Sequence, residues 1–305
     1  MIKLNFKISE LKKSEVAMQA ADRLSVSGVQ EKFPAVVDRN VVRLAREGER
    51  STHILKPAPW DDTLANRKYV PVNEYLTMQI ASRVYGIQVA ENNLCLSLDN
   101  QLAYITKRFD ILPDGSKMEM EDFASVLGRT EKDGGKLFKY SGSYEDIAGG
   151  IKRFVSAWMV DTERFFDLVV FNYIVGNGDA HLKNFSLLRK GEDYRLSPAY
   201  DLINTNLHVN GDDFGLDGGL SPALIRSDTY ESSGHPCRQD FESFGSMIGL
   251  VPVRCAKILD KYATLPDAVF TMVGQSPLTE KLKRQYLHTL KERLARFNRK
   301  KDRIH

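Results

Sequence analysis

The residues best suited to chemistry lie in a short polar stretch between two apolar runs, Val-Gly-Asn-Gly-Asp-Ala-His-Leu-Lys-Asn-Phe at 175–185. Its reactive side chains are Asp179, His181, Lys183 and Asn184. A second carboxylate with apolar neighbours, Asp201, follows after a hairpin-like stretch. An Asp, an Asn and another Asp in this order are what phosphoryl transfer on the protein-kinase plan requires. The alternative is a polar turn after a helix, in which these side chains are structural.

Two upstream residues would complete such a site. Lys56 ends a short apolar strand, because Pro57 lacks the backbone donor that would continue the ladder. Glu74 lies on a mostly apolar stripe of a helix predicted over 70–85, and a buried carboxylate is costly unless a cation pairs with it. Lys56 is the nearest candidate, and a Lys–Glu pair of this kind holds the lysine against nucleotide phosphates. In the opposing interpretation, Lys56 is solvated and Glu74 faces water.

A small, polar segment at 24–32 (Leu-Ser-Val-Ser-Gly-Val-Gln-Glu-Lys) leads into a strand predicted over 33–37. A loop of this kind is one way to lay backbone N–H groups over phosphates. The candidate phosphate-binding residues are Ser27, Gly28, Val29, Gln30, Glu31 and Lys32. With a single glycine, the segment also fits a plain β-turn.

A small sheet with one inserted helix, followed mainly by helices, is the element order of a two-lobed kinase. We therefore expect an α+β, protein-kinase-like fold. Residues 1–112 would form a small β-rich N-lobe with one helix, containing the phosphate loop, the nucleotide lysine and the hinge. Residues 113–305 would form a larger, mainly helical C-lobe with the catalytic loop, the metal site and a helical bundle. The hinge, whose backbone would contact adenine, is predicted at Lys107, Arg108 and Phe109.

Six helices are predicted in the second half, over 143–159, 163–175, 239–247, 253–265, 267–273 and 277–299. The helix over 163–175 is apolar nearly all round, so it should be the buried central helix, with Asp161 or Thr162 as its N-cap. Ser276 is the expected N-cap of the last helix, with Pro277 at its first position.

Composition excludes several classes of protein. With 305 residues, 42% of them hydrophobic and 27% charged, the chain is typical of globular proteins, and its net charge of +3 is too small to imply nucleic acid or a membrane. No stretch reaches the roughly 18 consecutive apolar residues of a spanning helix, and the N-terminus lacks the apolar core of a signal peptide. Three widely spaced cysteines fit buried thiols in a reducing compartment. We expect a soluble cytoplasmic protein.

Asp213-Phe214-Gly215 spells the metal-binding triplet of protein kinases, but its position argues against that role. Asp213 lies 29 residues after Asn184, within a glycine-rich stretch that has no strand support. Asp201 lies 17 residues after Asn184 and directly follows the predicted hairpin. Magnesium requires oxygen ligands in near-octahedral positions, and a loop without strand support holds a carboxylate poorly in such a position. We therefore assign the metal to Asp201.

Taken together, these motifs resemble the HipA family of bacterial serine/threonine kinases, the toxins of HipBA-type modules. Residues 25–32 resemble the family's phosphate loop, Lys56 its nucleotide lysine, Glu74 the helix partner and 107–110 the hinge. Residues 178–185 resemble the catalytic loop, and 198–201 the metal segment. The resemblance implies ATP and Mg²⁺ as cofactors. The implied catalytic residues are Asp179, Lys183 and His181, and the implied metal ligands are Asn184 and Asp201. His181, Leu182, Lys183, Asn184, Tyr200 and Asp201 join the nucleotide-binding set.

One departure points to a shorter type. Full-length HipA-like kinases carry a further subdomain ahead of the phosphate loop, whereas here that loop starts at residue 25. The chain therefore resembles the HipT type, in which that subdomain is a separate small HipS-like protein. Ser25 and Ser27 resemble the HipT autophosphorylation motif. A phosphate there would place about −1.5 to −2 charges where the ATP phosphates should lie, and would inactivate the kinase.

The resemblance also implies partners. The expected protein substrate is an aminoacyl-tRNA synthetase, and the expected antitoxin is a DNA-binding HipB-like protein. We expect no membrane binding and no direct DNA binding by the chain alone. Three alternatives stay open: a small-molecule phosphotransferase of the aminoglycoside or choline kinase type, a non-catalytic pseudokinase scaffold, and DNA binding by the basic C-terminal helix.

Overall fold

A closed six-stranded barrel forms the first part of the protein. The computed structural model describes residues 2–11 and 30–299. The barrel strands are β1 (Ile2–Leu4), β2 (Phe33–Asp38), β3 (Val41–Leu44), β4 (His53–Lys56), β5 (Asn92–Leu96) and β6 (Leu102–Lys107). They close in the order β1-β3-β2-β4-β6-β5, with β1 parallel to both of its neighbours and the other pairs antiparallel.

Alternation along the strands fills the barrel interior. Phe33 and Ala35 of β2 are fully buried, and Pro34 between them is exposed, because successive side chains point to opposite faces of a strand. Leu55 of β4 and Ile105 of β6 join the same apolar cluster. The barrel thus holds its strand ends, including the one that carries Lys56, in fixed positions.

Helix α1 (Ile8–Leu11) follows β1, and helix α2 (Val70–Arg83) is inserted between β4 and β5. Contacts from α2 reach both β5 and β6. The Asn73 side chain of α2 donates to the carbonyl oxygen of Asn204 (2.8 Å) and accepts from its N–H (3.3 Å). These two bonds fix the helix that carries Glu74 against the segment that follows Asp201.

Helices dominate the rest of the described chain. They are α3 (Phe123–Val126), α4 (Glu131–Gly134), α5 (Tyr144–Phe154), α6 (Trp158–Val175), α7 (Asp228–Ser233), α8 (Arg238–Met247), α9 (Pro252–Asp260), α10 (Asp267–Gln275) and α11 (Glu280–Phe297). An antiparallel sheet of β7 (Met120–Asp122), β8 (Ser186–Lys190) and β9 (Asp193–Leu196) lies among them in the order β7-β8-β9. The β8–β9 pair is the predicted hairpin.

The predicted central helix is present, but its start was wrong. Helix α6 begins at Trp158, so Asp161 lies inside its first turn rather than at the N-cap. The Asp161 carboxylate accepts the N–H of Leu196 at the end of β9 (2.8 Å) and an Arg164 hydrogen bond (2.6 Å). The Asp161 carboxylate, which we predicted as a helix cap, is thus used in a tertiary contact. The preceding helix, α5, accordingly ends at Phe154.

The last helix also begins later than predicted. Thr279 caps α11 by accepting the N–H of Leu282 (3.3 Å), and Ser276 instead donates to the Val273 carbonyl at the end of α10 (2.7 Å). The mixed composition of strands and helices matches the expected class. The division into lobes at 112/113 stays a prediction. Among the described residues, no helix combines the length and apolar character needed to cross a bilayer.

Candidate active site

The predicted Lys56–Glu74 pair is present and buried. Lys56 Nζ, at the end of β4, lies 2.5 Å from Glu74 Oε1 on α2 and also forms an ion pair with Asp201. Lys56 is 3% exposed and Glu74 2% exposed. Burial would lower the pKa of Lys56, but the two carboxylates hold it above its ordinary value. Burial raises the pKa of Glu74 despite the ammonium beside it.

Asp201 is placed by a short pairing ahead of it. Ala199 forms a parallel bridge with Val89 just before β5, and Asp201 then adopts the left-handed conformation (φ 56°). Its carboxylate receives a lysine on each oxygen, Lys56 on Oδ1 and Lys32 on Oδ2 (2.9 Å). Against the effect of burial, the two ammonium groups hold the pKa of Asp201 well below its usual range. The carboxylate is therefore ionised at neutral pH.

The loop from Gly176 to Phe185 follows α6, which ends at Gly176 in the left-handed conformation (φ 70°) that glycine adopts without strain. Three hydrogen bonds fix the backbone of Asp179. Its N–H donates to the Asn177 side-chain oxygen (3.3 Å), and its carbonyl accepts from Asn184 Nδ2 (2.8 Å) and from the N–H of His181 (2.8 Å). The Asp179 carboxylate is thus presented from a rigid turn.

The residues between Asp179 and Asn184 differ in exposure. His181 is 6% exposed, and burial lowers its pKa to about 4, so the imidazole is neutral at pH 7 and suited to bracing the loop. Leu182 is fully buried in the core. The Lys183 side chain is 41% exposed, and its Nζ lies 3.6 Å from Asp122 Oδ2 and 5.8 Å from the centroid of the Phe138 ring.

Asn184 and Asp201 are suited to magnesium by the chemistry of their donors. Asn184 uses its NH₂ group on Asp179, which leaves its amide oxygen as a possible ligand. Carboxylate and amide oxygens are the protein ligands that Mg²⁺ takes, together with phosphate oxygens and water. The two ammonium groups on Asp201 also show that this carboxylate attracts cations. The two residues fit a magnesium ion.

Only part of the predicted phosphate loop lies among the described residues. Gln30 donates to the Pro57 carbonyl (2.8 Å), beside the end of β4, and Glu31 is buried and accepts the N–H of Trp60 (3.2 Å). Lys32 contacts Asp201. The predicted residues Ser25, Ser27, Gly28 and Val29 lie outside the described residues.

The predicted hinge residues have mainly local partners. Lys107 pairs with Glu91 (3.2 Å), and Arg108 forms two hydrogen bonds to Asp110 (3.0 and 2.6 Å). Phe109 packs against Tyr200, with 5.6 Å between ring centroids. The backbone N–H groups of Lys107 and Arg108 are also engaged, since they donate to the carbonyl oxygens of Glu91 (2.7 Å) and Thr52 (2.9 Å). Contact of these residues with adenine stays a prediction.

Comparison with known proteins agrees with this geometry. The family model described as the HipA-like C-terminal domain matches residues 24–269. The chain belongs to this family. The predicted resemblance is therefore confirmed.

Several related proteins match parts of the chain. A Sinorhizobium fredii protein, Y4mE, named a candidate kinase, is 31% identical over 199 residues, which are 62% of this chain and 44% of that protein. A second from the same organism, Y4dM, is 34% identical over 212 residues, 63% of this chain and 47% of its own length. A Haemophilus influenzae protein, also named a candidate kinase, is 26% identical over 300 residues, 93% of this chain and 84% of that protein. The chain thus spans less than half the length of the two Sinorhizobium relatives.

Solved structures show the same fold. Shewanella oneidensis HipA, in a complex with HipB and its operator DNA, aligns with a TM-score of 0.68 at 22% identity, over 90% of this chain and 65% of that one. The Helicobacter pylori kinase CtkA aligns with a TM-score of 0.52 at 15% identity, over 86% and 93% of the two chains.

Asp213 of this HipA-like domain has partners of its own. Its carboxylate forms ion pairs with Arg293 and Arg296 of α11 and lies 2.8 Å from His235 Nδ1. The Arg293 side chain is only 3% exposed. These contacts are consistent with the assignment of the metal to Asp201.

Replacing Asp213 with asparagine should lower the free energy of unfolding by about 3 kcal/mol, because Arg293 would be left as a buried cation without its carboxylate. Magnesium-dependent nucleotide affinity of the folded variant should be unchanged. Chemical denaturation and calorimetric titration with Mg-ATP measure the two quantities. If the Asp213→Asn variant were fully folded but had lost its affinity for Mg-ATP, the metal ligand would be Asp213.

Sequence patterns did not place Tyr140 in the site. The phenol hydroxyl of Tyr140 donates to Asp179 Oδ1 at 2.7 Å. Tyr140 ends a 3₁₀ helix (Gly135–Tyr140), whose short length provides no periodic pattern to place its side chains.

Proposed function

We propose that this chain is a magnesium- and ATP-dependent kinase that transfers the γ-phosphate to a serine of a protein, as the toxin of a toxin–antitoxin pair. The observation that carries the proposal is the buried contact among Lys56, Glu74 and Asp201. Glu74 lies 18 residues after Lys56, and Asp201 lies 127 residues after Glu74. Burying these charges together is costly, and binding of phosphate and metal explains why they are kept. The names of the HipA-like relatives agree with kinase activity.

Each side chain has a part in this mechanism. Asp179 orients the acceptor hydroxyl and accepts its proton as the hydroxyl oxygen bonds to the γ-phosphorus and the bond from that phosphorus to ADP breaks. Lys56, positioned by Glu74, neutralises the charge of the nucleotide phosphates. Lys183 moves from Asp122 to the phosphoryl group in transfer. Asn184 and Asp201 would hold magnesium, which when bound neutralises charge on the β- and γ-phosphates.

Lys32, one of the predicted phosphate-binding residues, also makes a contact that sequence patterns did not suggest. In this structure its ammonium lies on Asp201 Oδ2, the carboxylate that would hold the metal. The side chain is 48% exposed, so it can turn away when magnesium and the phosphates arrive and then contact a phosphate. In this arrangement Lys32 and Lys56 together neutralise the Asp201 carboxylate.

A transfer experiment tests the activity. Purified protein with γ-labelled ATP and magnesium should label one or a few polypeptides in a bacterial lysate, and the Asp179→Asn variant assayed in parallel controls for kinases of the lysate. Identification of the labelled band tests the proposal that an aminoacyl-tRNA synthetase is the target. Label found only in a small molecule would establish a small-molecule phosphotransferase instead. Bound nucleotide without any transfer would favour a non-catalytic scaffold.

We further propose a DNA-binding HipB-like antitoxin as the partner. The solved relative from Shewanella oneidensis forms a complex with HipB and operator DNA. Co-purification with the product of a neighbouring gene, followed by an operator-binding assay with and without this chain, tests the partner. Binding of operator DNA by this chain alone would contradict it.

Autophosphorylation at Ser25 or Ser27 is the proposed self-inactivation. Intact mass of the active protein after incubation with Mg-ATP should rise by one phosphate, and peptide mapping should place it on one of these serines. The Ser25→Ala/Ser27→Ala variant should not gain the mass and should stay active longer. Ser116→Ala, at an exposed turn, is the matched control. If wild-type protein phosphorylates another protein while its own mass stays unchanged, the proposed self-inactivation is wrong.

A further inference from the structure

The Tyr140 hydroxyl occupies the hydrogen-bonding position that an acceptor needs. It donates to Asp179 Oδ1 at 2.7 Å, within the distance at which a base contacts the hydroxyl that it activates. The ring packs edge-on against His181, with centroids 5.1 Å apart and planes at 76°. The Tyr140 carbonyl accepts the N–H of Asp217 (3.0 Å). The phenol is thus held in place from the loop and from the glycine-rich segment.

Positioning of Asp179 does not require this hydroxyl. The Asp179 backbone is fixed through Asn177, His181 and Asn184, at 3.3, 2.8 and 2.8 Å. The preceding residue is anchored as well, because the N–H of Gly178 donates to Thr205 Oγ1 (3.1 Å). What Tyr140 contacts is the carboxylate itself, the group that must be reached by an acceptor. A hydroxyl at this place competes with the acceptor more than it supports the base.

A cavity gives the route by which an acceptor would meet Tyr140. It has a volume of about 860 Å³, and Tyr140 and Gly178 line it at the side of the catalytic loop. Its other walls include the glycine-rich segment at 209–221, Tyr230 of α7 with His235 after it, and α11. A hydroxyl that enters from this cavity encounters the phenol before it reaches Asp179. Residues 134–137 of the segment that leads to Tyr140 are exposed, whereas Phe138 packs against the core and Lys139 is buried. Displacement of the phenol is therefore a movement of the Tyr140 side chain.

We propose that Tyr140 is an internal stand-in for the acceptor hydroxyl, which must leave Asp179 before transfer begins. The inference rests on the proposed function, because it assigns Asp179 as the base. Tyr140 would then act as a gate. Water cannot use Asp179 as a base while the phenol is bound to it, and only an acceptor that binds in the cavity displaces the phenol. Such a contact limits wasteful hydrolysis of ATP.

The test is the rate at which Mg-ATP is hydrolysed with water as the acceptor. Tyr140→Phe keeps the ring and removes only the hydroxyl, so the hydrolysis rate should rise roughly ten- to hundredfold, as expected for the loss of one competing hydrogen bond to a charged group. Tyr140→Ala should show at least the same rise. Tyr194→Phe, on β9, is the matched control and should leave the rate unchanged. Thermal unfolding and Mg-ATP affinity should be the same in wild type and Tyr140→Phe.

The outcomes separate the two proposals. If wild type transfers phosphate and Tyr140→Phe hydrolyses Mg-ATP at the wild-type rate, the gate is overturned and the kinase activity stands. A lower rate at equal Mg-ATP affinity also overturns it and makes Tyr140 a positioning residue for Asp179. A wild type that neither hydrolyses ATP nor labels any polypeptide removes the proposed kinase activity, and the gate with it.

Discussion

Replacing Asp179 with asparagine should lower the rate of phosphoryl transfer by roughly 10²- to 10⁴-fold, the range for loss of a general base. Asparagine keeps the size of the side chain, and its amide oxygen can still accept the Tyr140 hydrogen bond. The loop should hold its shape, because the bonds to Asn177 and Asn184 involve the Asp179 backbone. Mg-ATP affinity should therefore stay close to that of wild type.

Single-turnover transfer of labelled phosphate measures the rate, and calorimetric titration measures the affinity. Asp201→Asn is the informative contrast, since loss of the proposed metal ligand should remove magnesium-dependent nucleotide binding. The two variants should thus fail at different stages, one after nucleotide binding and the other before it. Full transfer by Asp179→Asn would assign the base to another residue and would contradict the mechanism.

Residues on regular elements could be predicted from the sequence for clear physical reasons. Pro57 marks the end of a strand and so places Lys56 at the barrel edge, and the apolar stripe of α2 directs Glu74 inward. The cost of a buried carboxylate then required a cation nearby. The observed pair follows from these local patterns, although their roles in catalysis stay a prediction.

Contacts between distant segments could not be predicted in this way. Lys32 and Asp201 are 169 residues apart, and Tyr140 and Asp179 are 39 apart, so no local period relates them. The helix start near Asp161 was predicted wrongly for the same reason. Asp161 fits the pattern of an N-cap, but in the fold its carboxylate accepts the N–H of Leu196, 35 residues away. Tertiary partners competed with local capping and decided these positions.

The buried ion pair allows stability and nucleotide binding to be separated. Lys56→Met should lower the free energy of unfolding by about 3–5 kcal/mol, because it leaves Glu74 as a buried carboxylate without its cation. Glu74→Gln should cost less, since Asp201 still neutralises Lys56. In the double variant, Lys56→Met/Glu74→Gln, the buried charge is gone, so the loss should be clearly smaller than the sum of the two single losses.

Mg-ATP affinity should follow a different order from stability. Lys56→Met and the double variant both lack the ammonium that neutralises the phosphates, so both should bind Mg-ATP weakly although the double variant is the more stable of the two. Glu74→Gln should keep more of the affinity than Lys56→Met, because the Lys56 ammonium remains and the amide oxygen of glutamine can still accept its hydrogen bond. Denaturant titration and calorimetry on the same four proteins measure both properties.

The exposed pair Lys7–Glu10 serves as the control cycle, since its side chains are 50% and 65% exposed and solvent screens their interaction. Its double variant should show losses that simply add. If Lys56 and Glu74 also gave additive losses, their contact would not be a coupled buried pair. If the double variant regained nucleotide affinity along with stability, Lys56 would be a structural residue, and the proposed role of this site in binding phosphates would be wrong.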